Sequence, residues 1–179
     1  MKLLLENWKR YLTEQRGRRL SIFDFDDTIA ETGNFADAYV IGTTEEEMTG
    51  PKSVKFVKRL NTEQTELAKK TGMVEIIDIT NIVRQRLQEP NTQVMVLTAR
   101  GPESEDAIHN YLQTLEFPID TGSMIIRGVA GGNKGKWILG YLQENPGFTE
   151  VEFYDDQDKN LSNVLNVANV LPDVQFFVN

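Results

Sequence analysis

The chain has 179 residues with 40% hydrophobic and 26% charged residues, which is room and composition for one soluble domain with a real core. Its formal net charge of -8 sets the surface as a whole against nucleic acid and anionic membranes, so a nucleic-acid substrate needs a local basic patch. No cysteine is present and there is a single histidine, which excludes disulfides, thiolate nucleophiles and zinc-thiolate sites and leaves little for a His-based metal or Ser-His machine.

In chain order, residues 1–17 read as an amphipathic helix with Leu4, Trp8, Tyr11 and Leu12 on one face, closed by Gly17. Its three leucines are too short an apolar run for a leader peptide, and no segment is apolar for long enough to span a bilayer; a cytoplasmic location is the expectation. "RLSIFDF" follows as a strand. The polar stretch from about 31 to 61 has no clear periodicity and is a candidate small cap or loop insertion; it carries the basic residues Lys52, Lys55, Lys58 and Arg59. Helices are expected over 62–71 and 73–88, the second with Ile76, Ile79, Val83 and Leu87 in phase and Pro90 beyond its end.

From there apolar strands alternate with helices: "QVMVLT", then "SEDAIHNYLQTL", "SMIIRG", "KGKWILGYLQ", "VEFY", "KNLSNVLNVAN" and "VQFFV". That alternation predicts an α/β domain, a doubly wound, Rossmann-like parallel sheet with helices on both faces. Ligands of such sheets gather at the carboxyl ends of the strands. Those ends carry Asp24, Asp26 and Asp27 in "IFDFDDTI", Thr98 and Ala99 in "LTAR", Lys134 and Lys136 in "GGNKGKW", and Asp155 and Asp156 in "FYDDQD". Taken singly, an aspartate after a strand is as often a turn residue or a helix cap. Together, two acidic clusters, a hydroxyl and a lysine converge on one crevice. Oxygen-only ligands suit Mg²⁺, and a carboxylate beside a metal and a lysine suits phosphoryl transfer.

In this order "DFDDT", "LTAR", a lysine at a helix start and "DD" after a strand resemble the haloacid dehalogenase (HAD) superfamily of phosphohydrolases, from Ser21 to Asp156. The resemblance implies an Mg²⁺-dependent phosphatase. Asp24 would be the nucleophile and a metal ligand, and Asp26 the general acid and base with its carbonyl facing the metal. Thr98, Ala99 and the lysine would hold the phosphoryl group, and Asp155 with Asp156 would complete the metal site. Both Lys134 and Lys136 fit the third motif; Lys134 is preferred because Trp137 and Ile138 then follow at the spacing that buries the next turn. Asp27 reads as a charged neighbour, Arg100 as half of an ion pair, and His109 as without a role. Receiver domains use similar groups in a different order, and "AGGNKGKW" fails as a nucleotide-binding loop because Trp137 offers no hydroxyl to a metal. The resemblance extends to the phosphatase domains of polynucleotide kinase/phosphatases, which implies a phosphorylated substrate at a nucleic-acid end; a mononucleotide phosphatase and a non-catalytic acidic interaction domain are the alternatives.

Overall fold

The computed structural model describes residues 17–32, 73–119 and 122–179. The helices expected at 1–17 and 62–71, nearly all of the 31–61 stretch and its basic residues lie outside the described residues.

Strand β1 (Arg18–Phe23) is buried on both faces from Leu20 onward, as a strand at the middle of a covered sheet must be. It pairs in parallel with β4 (Thr92–Thr98) on one side and β6 (Phe148–Tyr154) on the other; Phe23 stands level with Val96 and Tyr154. Outside these lie β5 (Met124–Gly128), paired with β4, and β7 (Gln175–Val178), paired with β6, which gives the order β5-β4-β1-β6-β7. The strand sequence reverses direction at β1, so its carboxyl end opens on the crevice where doubly wound sheets bind ligands.

Helices α1 (Ile77–Gln88) and α2 (Glu105–Thr114) cover one face, with Val83, Ile108, Tyr111 and Leu112 packed on Phe23, Val94 and Val96. Helices α3 (Lys134–Glu144) and α4 (Asp158–Ala168) cover the other, with Ile138, Leu142 and Val164 packed on Leu20, Ile22, Met95 and Phe153. The expected doubly wound α/β arrangement is what the chain adopts. Among the described residues no helix is long and apolar enough to cross a membrane.

Two local expectations change. The helix expected from residue 73 begins at Ile77, because Val74–Glu75 forms β3, antiparallel to β2 (Ala30–Glu31). Met73 is buried in the core beneath α1 and α2, Val74 is buried in the strand, and the Ile76 N–H donates to the Ile29 carbonyl at 2.9 Å; Ile77, first in the helix, is left exposed. The strand "RLSIFDF" ends at Phe23, two residues early, since the chain turns sharply after Asp24.

Candidate active site

Asp24 follows β1 directly. Its N–H donates to the Tyr154 carbonyl at 2.8 Å, which holds its backbone in the ladder one residue past the strand, and its side chain is buried. Among the described residues its two close side-chain contacts fall on Oδ1: the Phe25 N–H donates at 2.7 Å, and Lys134 Nζ lies at 2.7 Å. Lys134 opens α3. Asn133 caps that helix, its Oδ1 accepting from the Lys136 N–H at 2.9 Å. A Cβ at Gly135 would stand 2.4 Å from the Asn163 carbonyl oxygen, so α3 and α4 approach closely there and Lys134 is driven inward to 1% exposure. Its ammonium also donates to Asp155 Oδ2 at 2.7 Å and lies 5.9 Å above the Phe153 ring. Asp155, buried after β6, is fixed further by the Gln157 N–H at 2.9 Å and by Asn160 Nδ2 at 2.9 and 3.0 Å.

One buried ammonium thus serves two buried carboxylates, and the exposed Asp156 adds a third. Ligand oxygens of Asp24, Asp155 and Asp156 lie within 4.8 Å of one another. Burial pushes the Asp24 carboxyl up to about 7; the charge of Asp155 adds to this, and Lys134 and the Phe25 N–H oppose it. Asp156 is pushed up as well, by its partial burial and then by the charges of Asp155 and Asp27. Among the described residues three carboxylates thus face one ammonium, which leaves negative charge in excess of positive. An all-oxygen set with that excess fits a hard divalent cation.

Asp26 belongs to a neighbouring cluster with different electrostatics. The turn that carries it is closed by the Ile29 and Ala30 N–H groups donating to the Phe25 carbonyl, both at 3.1 Å, and by Asp27 N–H to the Ala30 carbonyl at 2.8 Å. Asp27 sits at φ 55°, a conformation aspartate tolerates better than most side chains, and accepts the Thr32 N–H on Oδ1 at 3.3 Å. The Asp26 carboxylate receives both prongs of Arg100, Nη2 to Oδ1 at 2.7 Å and Nε to Oδ2 at 2.9 Å. Thr32 Oγ1 donates to Oδ1 at 2.7 Å, and Thr98 Oγ1 reaches Oδ2 only at 3.5 Å. Thr98 closes β4 fully buried and accepts the Arg100 N–H at 3.2 Å. The loop holding Thr98 to Gly101 is pinned to the one after β5 by Val129 N–H to the Thr98 carbonyl, Ala130 N–H to the Arg100 carbonyl and Gly131 N–H to the Ala99 carbonyl.

Neither a protein-family model nor a curated protein sequence matches the chain. Among solved structures it is similar to the HAD domain of the effector protein Lem4 from Legionella pneumophila, an inactive mutant, with a TM-score of 0.53 at 15% identity over 92% of this chain and 85% of that one. The fold is haloacid dehalogenase-like. A haloacid dehalogenase-like family hydrolase from Streptococcus pneumoniae also matches, with a TM-score of 0.49 at 13% identity over 90% of this chain and 94% of that one.

On this HAD-like fold the candidates from the sequence fall into three places. Asp24, Lys134, Asp155 and Asp156 meet at the carboxyl ends of β1 and β6. Asp26 and Thr98 lie together beside them, with the Asp26 carboxylate outside the acidic trio. Ala99 is exposed in the adjoining loop, its carbonyl taken by Gly131. Lys136, the alternative to Lys134, is exposed and lines a separate hollow with Val129, Trp137 and Tyr141, because two steps along a helix turn a side chain by about 200°. Arg100 does form an ion pair, and its partner is Asp26. The sequence reading did not find Thr32 or Asn160. Asn160 had a detectable signal, since it lies in the first turn of α4, five residues after Asp155. Thr32 had none, being brought to Asp26 only by the turn.

Proposed function

We propose that the chain is a Mg²⁺-dependent phosphomonoesterase that works through an aspartyl phosphate on Asp24. The observation that carries this reading is the shared ammonium: Lys134 ties Asp24 to Asp155 at the ends of adjacent strands, and Asp156 supplies a further carboxylate.

Asp24, Asp155 and Asp156 are the residues that would hold the metal, which when bound offsets the charge of the phosphoryl oxygens. Asp24 Oδ1 is tied to Phe25 and Lys134, so Oδ2 is the atom presented to phosphorus. Its attack forms the Asp24–phosphate bond and breaks the ester bond, and the departing oxygen takes a proton from Asp26. Asp26 then takes a proton from the water that attacks the aspartyl phosphate, releasing inorganic phosphate and restoring Asp24. The Thr98 hydroxyl and the Ala99 N–H would donate to the phosphoryl oxygens.

The substrate class proposed is a 3′-phosphorylated nucleic-acid end. Its support is the resemblance of the motifs to polynucleotide phosphatase domains, together with the span between Thr98 and Lys134, whose described residues are taken up by α2, β5 and their short connections, with no added cap. The test is phosphate release with Mg²⁺ from 3′-phosphorylated oligonucleotides, 5′- and 3′-mononucleotides, sugar phosphates and phosphopeptides at matched concentration. Oligonucleotides should be hydrolysed fastest, and Asp24→Asn should abolish release. Faster release from mononucleotides would make the protein a nucleotidase. An unchanged rate in Asp24→Asn would remove the nucleophile assignment.

A further inference from the structure

We propose that Arg100 and Thr32 are positioning residues for Asp26, a two-loop clamp that fixes its carboxylate for proton transfer through Oδ2. The inference rests on the phosphatase reading and concerns how its acid and base is held. A half-exposed carboxylate on a turn ordinarily samples several rotamers, whereas proton transfer needs one. Here the donors come from opposite sides. Arg100 reaches in from the loop after β4 with a bidentate grip at 2.7 and 2.9 Å, itself only 12% exposed, and Thr32 closes from the far end of the turn at 2.7 Å, 1% exposed.

The distribution of bonds singles out one oxygen. A carboxylate oxygen accepts about two hydrogen bonds. Oδ1 has both, from Arg100 Nη2 and Thr32 Oγ1. Among the described residues, Oδ2 has one short bond, from Arg100 Nε, and a 3.5 Å approach by Thr98 at the limit of bonding. Oδ2 therefore keeps a lone pair for the proton that passes to the leaving oxygen and later comes from water. Arg100 is anchored at its own backbone as well: its N–H donates to Thr98 Oγ1 and its carbonyl accepts from Ala130. The clamp thus moves with the loop that carries Thr98.

A structural ion pair and a clamp on the acid differ in their dependence on the leaving group. Wild type, Arg100→Gln, Arg100→Lys, Thr32→Val and Asp26→Asn are assayed for kcat/KM on a series running from nitrophenyl to alkyl phosphates, with circular dichroism and Tm recorded for each. For alkyl phosphates, whose leaving oxygen needs the proton, Arg100→Gln and Thr32→Val should lose on the order of 10- to 100-fold, and for nitrophenyl phosphate less than about 3-fold. The plot of log kcat/KM against leaving-group pKa should steepen toward that of Asp26→Asn, and Arg100→Lys, keeping the charge without the fork, should fall between. Equal losses across the series would overturn the clamp and make Arg100 a phosphate-binding or structural residue. If Arg100→Gln does not fold, Thr32→Val, which changes no charge and almost no volume, decides the question alone. Nitrophenyl phosphate hydrolysis surviving in Asp24→Asn would instead remove the phosphatase reading on which the clamp stands.

Discussion

Replacing Asp24 with Asn should stabilise the metal-free protein at pH 8, although it removes the proposed nucleophile. Burial is the main cause that pushes this carboxyl from its ordinary 3.8 up to about 7. A carboxyl raised in the folded state binds its proton more tightly folded than unfolded. Its contribution to stability is full below pH 4 and is lost as pH rises through 7. Above that range the ionised side chain costs about 4 kcal/mol relative to its neutral form. The opposing pulls of Lys134 and the Phe25 N–H are already contained in the value of about 7, so Asn, which stands for the neutral form, removes most of this cost. A net gain of about 2–4 kcal/mol is expected at pH 8, a Tm higher by about 4–16 °C for a chain of this size. Near pH 4 the gain should vanish. The measurement is thermal unfolding of wild type and variant in EDTA across pH 4–8, repeated with Mg²⁺, which should raise the Tm of wild type much more than that of the variant. A variant less stable than wild type at pH 8, or a difference indifferent to pH, would show that the cluster is a balanced structural ion pair and refute the reasoning.

Asp156→Asn should leave metal-free stability within about 0.5 kcal/mol because the residue is exposed, while weakening Mg²⁺ binding roughly 10-fold or more by titration calorimetry. Lys134→Met leaves two buried carboxylates without their cation and should cost about 3–5 kcal/mol in urea unfolding, whereas Lys136→Met should cost almost nothing. Gly135→Ala forces a methyl to within 2.4 Å of the Asn163 carbonyl oxygen. It should cost about 1–3 kcal/mol and, by shifting Lys134, lower phosphate release measured on the folded variant.

The elements legible in the sequence are those whose signal is local. "SIF", "VMVL" and "VEFY" are mostly apolar because both faces of the sheet are covered, and the chemistry-bearing residues of the site come where those runs stop. The strands β2 and β3 are two residues each, too short for any period to register, and Ala30 of β2 and Met73 just before β3 are buried in a core whose other members come from elements far apart in the chain. Lys134 and Lys136 are equivalent as letters; the Asn133 cap sets the phase of α3 and so decides which ammonium points inward. The Arg100–Asp26 pair joins residues 74 apart, and neither residue's surroundings in sequence name the other.

Crowding aspartates 24, 26 and 27 behind a buried strand is tolerable because the turn sends them to different charge environments. Phe25 does the separating. Fully buried and edge-on to Tyr111 at 5.8 Å, it pins the backbone between Asp24 and Asp26 and leaves their side chains on different partners. Asp26 meets one guanidinium, a balance of one negative charge to one positive. Asp24 shares one ammonium with Asp155 and lies within reach of Asp156, so among the described residues three carboxylates face one cation. The excess of two negative charges is local, and it lies at the strand ends where the fold opens to ligands. A divalent ion would supply the missing charge, and with it bound a phosphate dianion would meet a site no longer opposed to it by net charge. In the metal-free protein burial, with a smaller push from Asp155, raises the Asp24 carboxyl, and the proton it then holds lessens the same imbalance.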